Sequence, residues 1–259
     1  MKDHLGGRID EMSWPAAAAA LEAGLPLLLP IGAGSKAHGA HLPLGTDRIA
    51  VEAIAQKVAA KRPVLIAPTV SLGYYPAFVE YPASLHIEAS LFEATLVAVM
   101  TRFIESGARA IAILNNGVST EGPVVTAAHS VYAAMGVRPA IAQLRLFGRA
   151  ADRALDRPDG GHADERETSL MLALRPDLVE MSQAAAAPEE QSPSGPSLAR
   201  PVRLAHGRSP GPGEASAAGA LGDARAATAE KGEAILAAMV DDLVAAIDGA
   251  FPEDRNTRN

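Results

Sequence analysis

The sequence predicts an α/β fold: three layers, with a mostly parallel sheet flanked by helices. Short continuous apolar runs, fit for strands buried on both faces, alternate with longer stretches of helical spacing over the first two thirds of the chain. Residues of hydrophobic type make up 48% of the 259, enough for a large core. One domain over 1–259 is expected. Trp14 and Pro15 precede an Ala-rich helix that Trp14 is placed to anchor. The strands are expected at 25–31, 63–70, 108–114 and 139–146. A helix over 49–60 stripes Ile49, Ala53, Ile54, Val58 and Ala59, and one over 88–104 stripes Leu91, Ala94, Val97, Ala98, Thr101, Phe103 and Ile104. A third, over 120–135, is entered through Ser119 and Thr120, whose hydroxyls can cap it. From 184 to 220 the chain is Pro, Gly, Ala and Ser with little to pack, so a mobile loop or arm is expected there. A final helix over 226–248 puts Ile235, Leu236, Met239, Leu243, Val244 and Ile247 on one face.

Composition excludes several function classes. The formal charge is −7, with no basic run and 4% aromatics, which argues against a nucleic-acid partner. Without cysteine there is no disulfide, thiolate zinc site or cysteine nucleophile, and any metal must be held by nitrogen and oxygen. The first residues lack a signal pattern and the run of alanines at 16–20 is too short to span a bilayer, so a soluble, cytoplasmic protein with no membrane partner is expected.

Two strings carry candidate chemistry. The first follows the first strand: glycines at 32, 34, 39 and 45, with His38, His41 and Asp47 displayed within ten residues. Neutral imidazole with carboxylate is a normal metal set; an ordinary strand-to-helix loop is the plainer alternative, and neither a dinucleotide-binding nor a P-loop pattern is met. The second string has His162 and Glu167 about one helical turn apart, able to face one cleft or simply to form an acidic helix start. Tyr74, Tyr75, Phe78 and Tyr81 gather in one loop as a substrate wall or an oligomer contact. His86 reads as structural or surface, His129 as a helix residue, His4 and His206 as lying in mobile segments, and Asp241 and Asp242 as a solvated helix face.

These strings resemble the creatininase (creatinine amidohydrolase) family. Gly34, Ser35, His38, Gly39, His41, Leu42, Pro43, Thr46 and Asp47 resemble its Gly-Ser-x-Glu-x-His-Gly-x-His-Leu-Pro loop and the Thr-Asp that follows. His162, Ala163, Glu167, Thr168, Ser169 and Leu172 look like its His-Ala-Gly-x-x-Glu-Thr-Ser-x-x-Leu string. Asn116, Gly117, Val118, Ser119 and Thr120 sit at its Asn-Gly-His-Gly-Gly-Asn motif, and 222–232 resemble the segment that enters its last helix.

The resemblance implies a metal-dependent amidohydrolase that cleaves a C–N bond of a cyclic or linear amide or trims small peptides, with divalent zinc, manganese or iron, and a homo-oligomer, often a hexamer. Carried over by position, His38, Asp47 and Glu167 are the metal ligands, Asp47 bridging two ions where two bind, and His162 is the acid/base histidine, with Glu167 able to share its work. Two departures weaken one metal position: Lys36 and Ala37 stand where the family has a ligand glutamate, and Val118 where it has a histidine. One ion rather than two is therefore expected, on a small-molecule amide substrate. Gly32, Gly34 and Gly117 are the candidates for amides that stabilise an oxyanion. The competing expectation is a degenerate member that binds a ligand or partner, or serves as an oligomeric scaffold, without hydrolysis.

Overall fold

A computed structural model describes residues 6–157, 161–184, 219–220 and 222–252. The sheet is five-stranded and parallel throughout, in the order β1-β3-β2-β4-β5 (β1 Gly7–Arg8, β2 Leu27–Ile31, β3 Leu65–Ile66, β4 Ile111–Asn115, β5 Ala140–Gln143). The helices are α1 Trp14–Glu22, α2 Thr46–Lys61, α3 Ala89–Glu105, α4 Glu121–Met135, α5 Glu165–Leu174 and α6 Ala229–Ala250. Every residue of β2 and β4 is buried. Leu28, Ala112 and Leu114 face a core built with α2, α5 and α6, while Leu27, Leu29, Ile31, Ile111 and Ile113 face a second core built with α1, α3 and α4. That two-sided burial is why these strands read as unbroken apolar runs rather than as alternation.

Several expectations shift. β1 was not foreseen; it is two residues long and, among the described residues, pairs only with β3. The run at 63–70 pairs as a strand only at Leu65–Ile66, because Pro63 and Pro68 lack an N–H, and Val70 rejoins the sheet through one bridge to Ile31. β5 stops at Gln143 and its residues are half-buried; Leu144–Leu146 tighten into a 3₁₀ turn. The buried stripe of α2 is Ala50, Val51, Ile54, Ala55 and Val58, and that of α3 is Phe92, Leu96, Met100 and Ile104. Both helices carry apolar residues on several faces, so spacing alone points to a neighbouring stripe. Trp14 is 83% exposed, so among the described residues it does not anchor the helix. Thr120 does not cap α4: its hydroxyl donates to Asn115 Oδ1 and the Gly117 carbonyl instead. The last helix begins at Ala229, capped by the Thr228 hydroxyl, and runs to Ala250. Of the 184–220 segment, 185–218 lie outside the described residues, as do His4 and His206.

The chain passes from β2 to β3 on one side and reaches β4 on the other, so the loops after β2 and β4 diverge and leave a crevice at their carboxyl ends. Asn116 bridges it: its backbone N–H donates to the Ile31 carbonyl at 2.9 Å and its side chain to the Asp47 carbonyl at 3.1 Å.

Candidate active site

The loop after β2 passes under the first turn of α2. A Cβ on Gly32 would lie 2.6 Å from the Asp47 carbonyl oxygen, so only glycine lets strand and helix approach this closely. The amides of Gly32 and Gly34 donate to the carbonyls of Val70 and Ser71. They hold the loop to its neighbour and are not free for an oxyanion, contrary to the sequence expectation.

His38 is fully buried. Its Nδ1 lies 2.8 Å from the Lys36 carbonyl, which can only accept, so Nδ1 carries the proton and Nε2 faces Asp47 Oδ1 at 3.0 Å. That contact is satisfied either by a second proton on the ring or by a cation shared between the two atoms. The other oxygen of Asp47, Oδ2, is 2.6 Å from Lys36 Nζ, with both side chains buried. Oδ2 makes no aligned hydrogen bond, so the contact is chiefly coulombic. Burial opposes ionisation of Asp47, but Lys36 and His38 outweigh it and hold the carboxyl below the usual carboxylate range.

His162 and Glu167 arrive from the start of α5, 124 residues beyond His38. The Nε2–H of His162 donates to the Ala37 carbonyl at 2.8 Å, leaving the Nδ1 lone pair 3.7 Å from Glu167 Oε2. Burial, then the positive charge of His38 and Lys36, keeps this imidazole well below its ordinary pKa. The rings of His38 and His162 lie 4.6 Å apart. Glu167 Oε2 accepts from the Ala163 amide at 2.6 Å, which fixes the carboxylate. Asp164 caps α5 by accepting from the Glu167 N–H, and burial followed by the Glu167 charge raises it to about 7.

One ligand atom from each of His38, His162 and Glu167 lies within 4.8 Å of the others. Asp47 joins this group through its contact with His38. The His38 lone pair with the Asp47 and Glu167 carboxylates nearby suits one zinc-, manganese- or iron-type ion, with His162 beside it. A second position beside Asp47 does not fit one: Lys36 fills it with positive charge, and the Val118 side chain offers no donor atom.

The group opens on a cavity of about 350 Å³ whose lining includes Lys36, Asp47, Tyr75, Phe78, His162 and Glu167. Of the aromatic loop, Tyr75 and Phe78 form the wall. His86 is structural, its Nδ1 accepting the Tyr75 N–H at 2.9 Å while its ring lies tilted against Tyr74, centroids 5.4 Å apart. His129 is exposed on α4. Asp241 pairs with Lys61, and Asp242 accepts the Gly148 N–H.

Sequence reading missed Arg145, Arg149 and Arg166, which also line the cavity, and the buried Asp164. A capping residue three positions before a glutamate was the only available signal for Asp164.

His41 stands apart from the ligand cluster, hydrogen-bonded through Nε2 to the Thr168 hydroxyl at 2.8 Å. Burial, then the charge of His38, pushes its pKa down to about 4. Between an ordinary 6.5 and about 4 the unfolded chain holds a proton here that the folded chain does not, so stability falls as pH drops through that window. Urea unfolding at pH 4.5 and pH 7 is expected to show a smaller acid loss for His41→Gln than for the wild type; equal losses would count against this assignment.

Comparison with known proteins matches the family described as creatinine amidohydrolase over residues 10–247. The chain belongs to the creatininase family. It is 27% identical to the creatinine amidohydrolase of Pseudomonas putida, the match covering 94% of this chain and 97% of that one. The 3-dehydro-scyllo-inosose hydrolase of Thermotoga maritima is 30% identical (84% and 75%), and a mycofactocin precursor peptide peptidase of Mycobacterium ulcerans 29% (85% and 84%). Among solved creatininase structures, a mutant in a zinc–zinc form superposes with a TM-score of 0.81 at 25% identity, covering 95% of this chain and 98% of that one. These creatininase-family relatives are named as hydrolases of different substrates, a precursor peptide among them, so family membership supports hydrolysis and a divalent metal without fixing the bond. No described helix is long and apolar enough to cross a membrane.

Proposed function

We propose that this chain hydrolyses a non-peptide C–N bond in a small cyclic or linear amide, using a single divalent ion held by His38, Asp47 and Glu167. The observation that carries the reading is the convergence of ligand atoms of His38, His162 and Glu167 within 4.8 Å of one another, with Asp47, His162 and Glu167 lining one cavity and His38 fully buried. A divalent ion bound there supplies Lewis acidity for the substrate carbonyl and lowers the pKa of water. Its own ligands are prepared in advance: the Lys36 carbonyl sets the tautomer of His38, and the Ala163 amide orients Glu167.

His162 is the proton carrier. With Nε2–H committed to the Ala37 carbonyl, only Nδ1 can exchange a proton, and it faces the cavity beside Glu167. A proton taken there from attacking water makes an imidazolium whose charge the Glu167 carboxylate, 3.7 Å away, stabilises. The same proton then goes to the departing nitrogen, which is too poor a leaving group as an anion. Tyr75 and Phe78 exclude water from one side. The reading also includes self-association into a homo-oligomer and a cytoplasmic setting, and the net charge of −7 favours neither nucleic acid nor an anionic membrane surface as partner.

The test is a chelator-stripped protein reloaded with zinc, manganese or iron and offered cyclic amides, linear amides and short peptides. Turnover is expected to vanish on stripping and to return at one ion per chain. Cleavage confined to peptides would move the substrate class toward that of the peptidase relative. A chain that binds no ion and turns over nothing would instead support a ligand-binding, non-hydrolytic protein, the reading favoured by an Asp47 already neutralised by Lys36.

A further inference from the structure

We propose that Lys36 is a resident cation standing where a second metal ion would sit, so that Asp47 serves one ion on its Oδ1 side and an ammonium on its Oδ2 side. The inference deepens the one-ion reading and rests on it. Asp47 Oδ1 lies 3.0 Å from His38 Nε2, on the side of the His38, His162 and Glu167 group, and Oδ2 lies 2.6 Å from Lys36 Nζ. The ammonium sits over the faces of Tyr75 and Phe78, 5.4 and 5.1 Å from their centroids. Aromatic faces favour a cation but offer a metal no ligand atom.

Among the described residues, the metal-ligating group of His38, His162 and Glu167 does not extend to this side of Asp47, and the Val118 side chain has no donor atom. A divalent ion there would have one carboxylate oxygen and a like charge at contact distance. The ammonium neutralises the same oxygen without needing a metal supply. Lys36 also lines the cavity, and among the described residues its Nζ pairs only with Asp47, which leaves N–H donors for a substrate oxygen.

Native mass spectrometry and calorimetric titration of the stripped protein with zinc or manganese test this on the wild type, Lys36→Met and the double variant Lys36→Glu/Val118→His. The wild type is expected to take one ion. Lys36→Met keeps an apolar stem against the two rings, removes the repelling charge and frees Asp47 Oδ2, so it should bind that ion at least tenfold more tightly. The double variant, with a carboxylate and an imidazole restored to the second position, should take one ion more than the wild type.

A wild type that takes two ions with Lys36 intact overturns the proposal, as does Lys36→Met with unchanged or weaker affinity. A wild type that takes none overturns the one-ion reading instead; Lys36 is then judged by whether the variants gain binding over the wild type, a gain supporting the proposal and no gain overturning it. Thermal unfolding accompanies each protein, and if the double variant does not fold, Lys36→Met decides alone.

Discussion

His38→Ala is expected to abolish ion binding and to lower kcat/KM by roughly three orders of magnitude or more, about 4 kcal/mol of transition-state stabilisation. The size follows from what the side chain does at once. It offers Nε2 to the candidate ion, it contacts Asp47 Oδ1, and its ring lies 4.6 Å from that of His162. Removal leaves an unfilled space at a position with no solvent access and deprives a buried carboxylate of one of its two cationic or metal neighbours. A loss of stability must therefore be separated from a loss of chemistry. His38→Gln fills most of the space and retains a polar end, so it should restore thermal stability toward that of the wild type without restoring ion affinity. Calorimetry with zinc and the kinetics of any substrate found by the amide screen are the readouts. If His38→Ala kept wild-type ion affinity, the metal site would have to be placed elsewhere.

The parts of this arrangement legible in the sequence are those fixed by two-sided burial or by short-range motifs. β2 and β4 announce themselves because both faces are covered, and α6 because its apolar face is strictly one-sided. β1 was invisible because two residues, Gly7 and Arg8, carry no pattern; their strand character comes only from pairing with β3. The proximity of His38 to His162 could be inferred only through two strings matching one family, since nothing local links positions 124 residues apart. The Lys36–Asp47 pair was harder still. Spacing identifies the missing glutamate, but only the course of the loop after β2 shows that the lysine turns inward to Asp47 rather than outward to water. Asp164 is hidden for a similar reason. An aspartate before a helix reads as an ordinary cap, and its raised pKa comes from burial and from Glu167, which local sequence does not report.

Gly232→Ala, at a position the sequence offered only as part of a helix start, should cost about 3 kcal/mol of stability or more and also lower activity. A Cβ there would lie 1.8 Å from the Ser169 carbonyl oxygen, 2.4 Å from its carbon and 2.9 Å from the Ala173 Cβ. Overpacking against side chains costs about 1–3 kcal/mol. Here the obstacle is the backbone of α5, which cannot change rotamer, so α5 and α6 must move apart. Around that contact the Thr228 N–H donates to the Ser169 hydroxyl, and Lys231 pairs with Glu165 at 2.6 Å, bonds that stretch as the helices separate. The first turn of α5 is also where Asp164 and Glu167 are held, so the displacement reaches the candidate ion site. Thermal unfolding should show a midpoint lower by roughly 6–12 °C, and ion affinity should weaken alongside it. Gly122→Ala in α4 is the matched control, because nothing lies within 4 Å of its added Cβ; it should be neutral or stabilising by about 0.5–1 kcal/mol. Equal effects for the two substitutions would mean that α5 and α6 do not meet backbone to backbone, and the placement of Glu167 opposite His38 would lose its support.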